Sequence, residues 1–288
     1  MAKRLSGKEV AQAMQKELAR RAEELKRNDI RPTLAIIRVG EKESDIAYER
    51  GAMKKMASLG ISVRNLYFDQ NVAETTLITA IKDLNEDANV HGVLLFRPLP
   101  EHLDAEKICN TLIAEKDVDA MTTINSGLVY DGSSDGFPPC TAQAVMEILD
   151  YYNIEVKSAR VALVGWGAVV GKPLSVLLLT RFATVTVCHI FTKDVSTPCK
   201  NAEIVISAAG KAGLVGEQHL APGQIVIDVG INADPNDPAK IVGDVDFAYA
   251  DGVVDAITPV PGGVGSVTTS VLAKHVIIAA EKQAARKG

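Results

Sequence analysis

Short apolar runs alternate with helix-period segments along nearly the whole chain, and that alternation restricts the fold more than any other feature. TLAIIRV (33–39), GVLLF (92–96), VALVG (161–165), AEIVISAAG (202–210) and QIVIDVG (224–230) are almost continuously apolar. Strands with that texture are covered on both faces, as in parallel sheets. Further strands are expected near 61–68, at ATVTVC (183–188) and at KIVGDV (240–245). Amphipathic helical segments lie at about 8–26, 44–59, 74–86 and 104–114. The expectation is an α/β protein with a mostly parallel sheet. Near 131–140 the texture changes to DGSSDGFPPC, a Gly, Ser and Pro-rich connection, before a helix at about 141–152. Two domains are expected: residues 1–140 with the C-terminal helix 268–288, and residues 141–267, joined by two long helices.

Composition removes several function classes. The formal charge of −5 over 288 residues, without a Lys/Arg run, argues against nucleic acid as a partner. Lys54 and Lys55 read as a solvated helix edge. Cys109, Cys140, Cys188 and Cys199 show neither C-x-x-C spacing nor a histidine at zinc-site distance, so reduced thiols and no metal site are expected. MAKRLSGKEVAQAMQKEL reads as an amphipathic helix, and no run approaches membrane-spanning length. No membrane partner and a cytoplasmic setting are the expectation.

Two glycine-bearing stretches point to ligands. VALVGWGAVVGKP (161–173) reads as strand, turn and helix, with Gly165, Gly167 and Gly171 spaced one residue wider than the usual dinucleotide fingerprint. Gly165 and Gly167 let backbone amides approach a pyrophosphate, the helix start adds its positive dipole end, and Gly171 allows close helix–strand contact. The alternative is a tight turn with no ligand. At the end of the next strand, Cys188-His189-Ile190 carries no acid for the ribose hydroxyls of NAD. Lys172, His189 and Lys193 are nearby cations, but no arginine stands ready for the extra phosphate of NADP. The second stretch is ITPVPGGVGSVT (257–268), whose prolines and glycines suit a stiffened loop with bare backbone for a flat ligand. A plain loop before a C-terminal helix is the bland reading.

Taken together, these blocks resemble the methylenetetrahydrofolate dehydrogenase/cyclohydrolase family. The likeness runs through Ser44–Tyr48, KDVD (116–119), PCT (139–141), residues 165–173, ATVTVCH (183–189), IVIDVGIN (225–232), VGDV (242–245) and TPVPGGVG (258–265). The resemblance implies a substrate domain and a Rossmann-type domain with a folate cleft between them, a homodimer, and tetrahydrofolate one-carbon derivatives as substrates. It implies that Tyr48 stacks on the folate and Asp119 bonds the pterin, both as catalytic-site residues, with Pro261 and Gly262 lining the pterin cleft. Gly165, Trp166, Gly167, Gly171, His189 and Ile231 are the implied cofactor-binding residues. From the residues alone, Tyr48 also reads as a half-buried helix aromatic and Asp119 as a cap for the segment that follows it.

The departures matter as much as the matches. The family carries a lysine four residues after the tyrosine; here that position is Ala52, with the register held by Gly60. Phe96, in FRPLP, stands where the family has glutamine. Those missing polar groups serve the hydrolytic half of the family's chemistry, and alanine cannot steer a proton. The expectation is a dehydrogenase with cyclohydrolase activity weak or absent. A bifunctional enzyme, with Lys55 or Arg97 handling the proton, and a non-catalytic folate and nucleotide scaffold are the alternatives. Lys55 lies seven residues beyond Tyr48, about 10 Å along the helix. Trp166 and Ile190 replace family residues that bind the 2′-phosphate, which favours NAD over NADP. Ala142 and Ser266 replace prolines; no functional reason is found for either.

Overall fold

A computed structural model describes residues 1–235 and 237–286. In chain order, β1 (Lys3–Arg4) and α1 (Gly7–Arg27) precede β2 (Thr33–Val39), α2 (Glu43–Ser58), β3 (Ser62–Phe68), α3 (Glu74–Glu86) and β4 (Gly92–Leu95). The helices α4 (Ala105–Cys109), α5 (Thr123–Tyr130) and α6 (Cys140–Tyr151) follow. Then come β5 (Arg160–Val164), α7 (Gly171–Thr180), β6 (Thr184–Cys188), α8 (Ser196–Lys200), β7 (Ile204–Ser207) and β8 (Ile225–Asp228). β9 (Asn232–Asp234), β10 (Asp237–Val242), α9 (Phe247–Val253), β11 (Ala256–Ile257) and α10 (Gly265–Ala285) complete the order.

The chain divides into two compact units, the first Met1–Gln12 with Thr141–Thr268 and the second Ala13–Cys140 with the chain from Thr269 on. In the second unit the sheet order is β3-β2-β4, all parallel. β2 is the middle strand, and Leu34, Ala35, Ile36 and Ile37 are wholly buried, which accounts for its unbroken apolar run. β3 is an edge, and its residues alternate between exposed and half-buried over much of their length. The sheet packs on α3 through Leu77, Ile81 and Leu84. A bridge between Val93 and Asp117 straps the 116–119 segment to the free edge of β4. Gly92 permits this, because a Cβ there would stand 2.7 Å from Val118 Cγ1.

The first unit holds a parallel sheet in the order β1-β11-β8-β7-β5-β6. From β5 the chain moves outward to β6, then returns to the other side of β5 as β7. The strand order therefore reverses between β5 and β7, and ligands of doubly wound sheets bind at the carboxyl ends of the strands at such a switch point. Apolar residues from this sheet and from α8 and α9 form its core.

Several sequence expectations need correction. Residues 1–12 were assigned to the first domain but belong with 141–268, because β1 pairs with β11 and Ala2 N donates to the Asp251 carboxylate. Consequently the chain crosses between units three times, within α1, at the start of α6 and within α10, rather than through two helices. KIVGDV is not a strand of the parallel sheet: β10 pairs antiparallel with β9 as a separate hairpin. The helix expected at 104–114 stops at Cys109, because the Asn85 side chain donates to Thr111 O and accepts from Ile113 N, drawing that backbone out of the helical ladder. The helix α5 and the short strands β1, β9 and β11 were not foreseen.

Candidate active site

In the second unit the site is built on α2 and the 116–120 segment. α2 exposes much of its surface and is anchored through buried Ala52 and Met56 and through a polar contact: buried Glu49 accepts from Arg38 Nε at 2.8 Å and from the Tyr67 hydroxyl. The Arg38 guanidinium also lies 4.5 Å from the Tyr67 ring centroid. Tyr48 precedes Glu49, so this anchor sets its position. Its half-buried ring meets Phe96 edge to face, with centroids 5.9 Å apart. Burial, with Cys140 and Asp119 adding to it, raises the Tyr48 phenol well above its ordinary range. The phenol therefore keeps its proton at working pH.

Asp119 is held by a loop that Asp117 organises. Wholly buried Asp117 accepts from Met121 N at 3.0 Å and Thr122 N at 2.8 Å. Asn125 reaches back to Asp117 O at 2.7 Å and accepts from Phe137 N at 3.0 Å. The cap reading given to Asp119 thus belongs to its neighbour. Asp119 Oδ1 instead accepts from Cys140 N at 2.8 Å, while Oδ2 lies 3.8 Å from Arg97 Nη2. Burial raises the Asp119 pKa from its ordinary value, opposed by the Cys140 amide and by Arg97. The Cys140 thiol is buried beside Val118 O and His275, and desolvation pushes it far above the thiolate range.

Ala52 is wholly buried on the face of α2 that carries Met56. Lys55 gives its Nζ to Gln15 Oε1 at 3.1 Å, and burial lowers its pKa from the ordinary lysine value.

In the first unit the 165–171 turn leaves β5 at the switch point. Gly165 has φ of +116°, and a Cβ there would lie 2.2 Å from Ala208 O, at the exit of β7. A Cβ on Gly171 would lie 2.2 Å from Gly165 O, so both glycines are required for closeness. Gly167 differs: its Cβ would meet nothing within 4 Å. At the start of α7, Val170 offers no side-chain cap, so no side-chain acceptor from the cap residue competes for the first-turn amides. Trp166 is 53% exposed, with Lys172 Nζ 4.9 Å from its ring centroid and the His189 ring at 6.3 Å. Ile190, Phe191 and Ile231 are exposed as well.

Two buried carboxylates that the sequence reading did not single out set the loops around that turn. Asp244 accepts from the amides of Ala209, Gly210 and Lys211, from Ser207 Oγ and from Asn232 Nδ2. Asp228 accepts from Gly230, Asp244 and Val245 amides. Each carboxylate packs where a side chain on the other's neighbouring glycine would stand: a Cβ on Gly243 would lie 1.8 Å from Asp228 Oδ2, and one on Gly230 2.1 Å from Asp244 Oδ1. The signal was present as the acid–glycine pairs in IVIDVGIN and VGDV. Thr258 Oγ1 accepts from Asp228 N at 2.7 Å, which ties this network to the 258–265 loop. Pro261 follows a cis peptide bond, and Gly262, at φ of +106°, accepts from Gly7 N at the start of α1. Pro261 and Gly262 therefore belong to the same unit as the glycine turn, whereas Tyr48 and Asp119 come together in the other unit.

Two family descriptions match the chain. Residues 5–119 match the tetrahydrofolate dehydrogenase/cyclohydrolase catalytic domain, and residues 139–284 match the tetrahydrofolate dehydrogenase/cyclohydrolase NAD(P)-binding domain. The chain belongs to the tetrahydrofolate dehydrogenase/cyclohydrolase family. The bifunctional protein FolD of Carboxydothermus hydrogenoformans is 47% identical over 281 residues, covering 98% of each chain. A solved bifunctional FolD dehydrogenase/cyclohydrolase from Campylobacter jejuni superposes with a TM-score of 0.95 at 36% identity, covering 98% of this chain and 99% of its own. The Trypanosoma brucei dehydrogenase-cyclohydrolase, solved with NADP cofactor and an inhibitor, gives 0.93 at 36% identity over 99% of both chains.

The residues present suit a dinucleotide. Open space over Gly167, a helix start without a side-chain cap and a strand-order reversal at the same turn form a cradle for a pyrophosphate. Among the described residues no group of three or more His, Cys, Asp or Glu side chains is placed to hold a metal ion, and no helix is long and apolar enough to cross a membrane.

Proposed function

We propose that the chain is a 5,10-methylenetetrahydrofolate dehydrogenase that prefers NAD and has weak or no cyclohydrolase activity. The dehydrogenase reading is supported by an open glycine turn in one unit and by a polar and aromatic cluster, Tyr48 and Asp119, in the other, at positions the family resemblance gives to cofactor and folate. When bound, a nicotinamide would supply the hydride acceptor for the folate's methylene carbon, whose loss of hydride the flanking folate nitrogens favour by lone-pair donation. The chain's own residues orient the reactants and need not move a proton in that step. Tyr48 supplies a stacking face and a hydroxyl donor. Asp119 supplies an acceptor for pterin N–H groups. Gly262 offers backbone without side-chain bulk beside the Pro261 ring, and amides of the 166–171 turn would take the pyrophosphate, the Gly165 amide being engaged by Cys188 O. A homodimer, as the resemblance implies, and the cytoplasmic setting expected from the sequence belong to the same reading.

The NAD preference is supported by the exposed apolar side chains of Trp166 and Ile190 at the ends of β5 and β6, where a 2′-phosphate needs cations. Lys172 lies against the Trp166 ring and remains the nearest candidate for one. A second reading, an enzyme that keeps both activities, is favoured by the relatives' printed names, which call them bifunctional. Against it stand the buried methyl of Ala52, the Phe96 ring on Tyr48, and the engagement of Lys55 with Gln15. The test is reduction of cofactor by methylenetetrahydrofolate, followed by the absorbance of the reduced nicotinamide with NAD and with NADP. The expected result is turnover with both and a kcat/KM at least about tenfold higher for NAD. Binding of both ligands without reduction would leave only the scaffold alternative, and a preference for NADP would overturn the reading of Trp166 and Ile190.

A further inference from the structure

Asp119 has one oxygen committed and one oxygen facing a cation. Oδ1 is taken by the Cys140 amide at 2.8 Å, and Oδ2 lies 3.8 Å from Arg97 Nη2. Both side chains are mostly enclosed, at 22% and 27% exposure. At that separation the guanidinium acts on the carboxylate mainly through its charge, which solvent screens little in so enclosed a place. Of the side chains that act most on Asp119, which are Arg97, Cys140 and Asp117, Arg97 is the cation. Asp117, two residues back and wholly buried, is a carboxyl engaged by its own loop amides. The Cys140 thiol and Tyr48 phenol are both raised well above their ordinary ranges and stay protonated. His275, beyond Cys140, directs Nδ1 at Val118 O at 2.9 Å.

We propose that Arg97 is a positioning residue that keeps Asp119 ionised and leaves its Oδ2 free to accept from the substrate. Without a nearby cation, an enclosed carboxyl beside a second carboxyl shifts toward its neutral form, in which one oxygen becomes a donor and no longer matches N–H groups of a pterin. Burial does push Asp119 upward, and Arg97 is the side-chain charge that opposes it. The same residue follows Phe96, so the FRPLP segment places an apolar ring on Tyr48 and a cation beside Asp119 in consecutive positions. Arg97 thereby sets the lowest pH at which the substrate is held. This rests on the reading that Asp119 binds the folate.

The experiment is the pH profile of kcat/KM for methylenetetrahydrofolate in the full chain, for wild type, Arg97→Leu, Arg97→Lys and Asp119→Asn. Cofactor affinity, read from the fluorescence of Trp166, the chain's one tryptophan, checks the nucleotide-binding unit of each variant, and a thermal unfolding transition of the full chain checks the unit that carries Arg97 and Asp119. In Arg97→Leu the acid limb should move upward by about 1 pH unit. In Arg97→Lys, which keeps the charge, it should stay close to wild type. Asp119→Asn should raise the folate KM at every pH and lose the limb. An Arg97→Leu limb that coincides with wild type, while Asp119→Asn loses it, overturns the role given to Arg97 and leaves Asp119 in place. A limb that moves equally in Arg97→Lys and Arg97→Leu also overturns it, because charge is then not the cause. A folate KM unchanged in Asp119→Asn overturns the underlying reading of Asp119 instead.

Discussion

At the scale of single residues, the glycines of the 165–171 turn separate into two kinds. Gly165 and Gly171 are pressed against backbone, whereas Gly167 faces open space. Ala at 165 meets Ala208 O and a left-handed φ together, so Gly165→Ala should destabilise the unit by about 2 kcal/mol or more. Gly167→Ala should leave stability within about 0.5 kcal/mol of wild type and raise the cofactor KM severalfold, since the added methyl stands where a pyrophosphate approaches. Denaturation midpoints and cofactor KM values check the pair, and equal stability loss in both variants would contradict the distinction. Asp228 makes a second residue-scale case. Burial raises its pKa to about 6 from an ordinary value of 3.8, with the Gly230, Asp244 and Val245 amides opposing. A carboxyl whose folded pKa is raised binds more protons folded than unfolded between those values. Its contribution therefore favours folding below about pH 4 and is lost as pH rises through about 6, a swing of roughly 3 kcal/mol. The difference in stability between wild type and Asp228→Asn should slope across that window and flatten above it; parallel curves would contradict the assignment.

At the scale of elements, the anchorage of α2 carries the site. Glu49 and the Arg38 side chain are almost wholly enclosed, at 6% and 12% exposure, so removing one leaves the other without its partner. Glu49→Ala should cost about 3 kcal/mol and raise the folate KM, while cofactor affinity by Trp166 fluorescence stays as it was. A variant with normal folate KM would show that Tyr48 is positioned by other contacts. The elements legible in the sequence were those whose own period decides them: β2 and α3 fall where their apolar patterns put them. Two-residue strands such as β1 and β11 have no period, and only pairing across distant sequence creates them. KIVGDV read as a strand by composition, yet Gly243 packs on Asp228 and Asp244 holds the loop after β7, and what remains pairs with β9. The premature end of α4 depends on the Asn85 side chain, 26 residues from Thr111. For the candidate site, the glycine turn was legible through motif and spacing, whereas Tyr48 entered only through the family resemblance. The work of Asp117, Asp244 and Arg97 was not, because it lies in which amides and charges face each carboxylate.

At the scale of the whole molecule, each unit has its own parallel sheet and its own apolar core, and on the proposed reading each carries one part of the chemistry. Membership of residues 1–12 in the nucleotide-binding unit makes the start of the chain part of that unit's edge, through β1 on β11 and Gly7 on the Gly262 carbonyl. Folate oxidation and methenyl hydrolysis differ in what they ask of the protein: the first needs alignment, the second a group that handles a proton. On the proposed reading this chain has the residues for alignment, and Ala52 and Phe96 stand where the family resemblance places the proton-handling groups. The most direct measurement is a time course of methenyltetrahydrofolate formed from methylenetetrahydrofolate and NAD, at a pH where methenyl hydrolyses slowly unaided. The account predicts that methenyl accumulates in step with reduced cofactor and decays at the rate seen without enzyme. Clearance of methenyl as fast as it forms would contradict it and assign hydrolysis to a group other than the missing lysine.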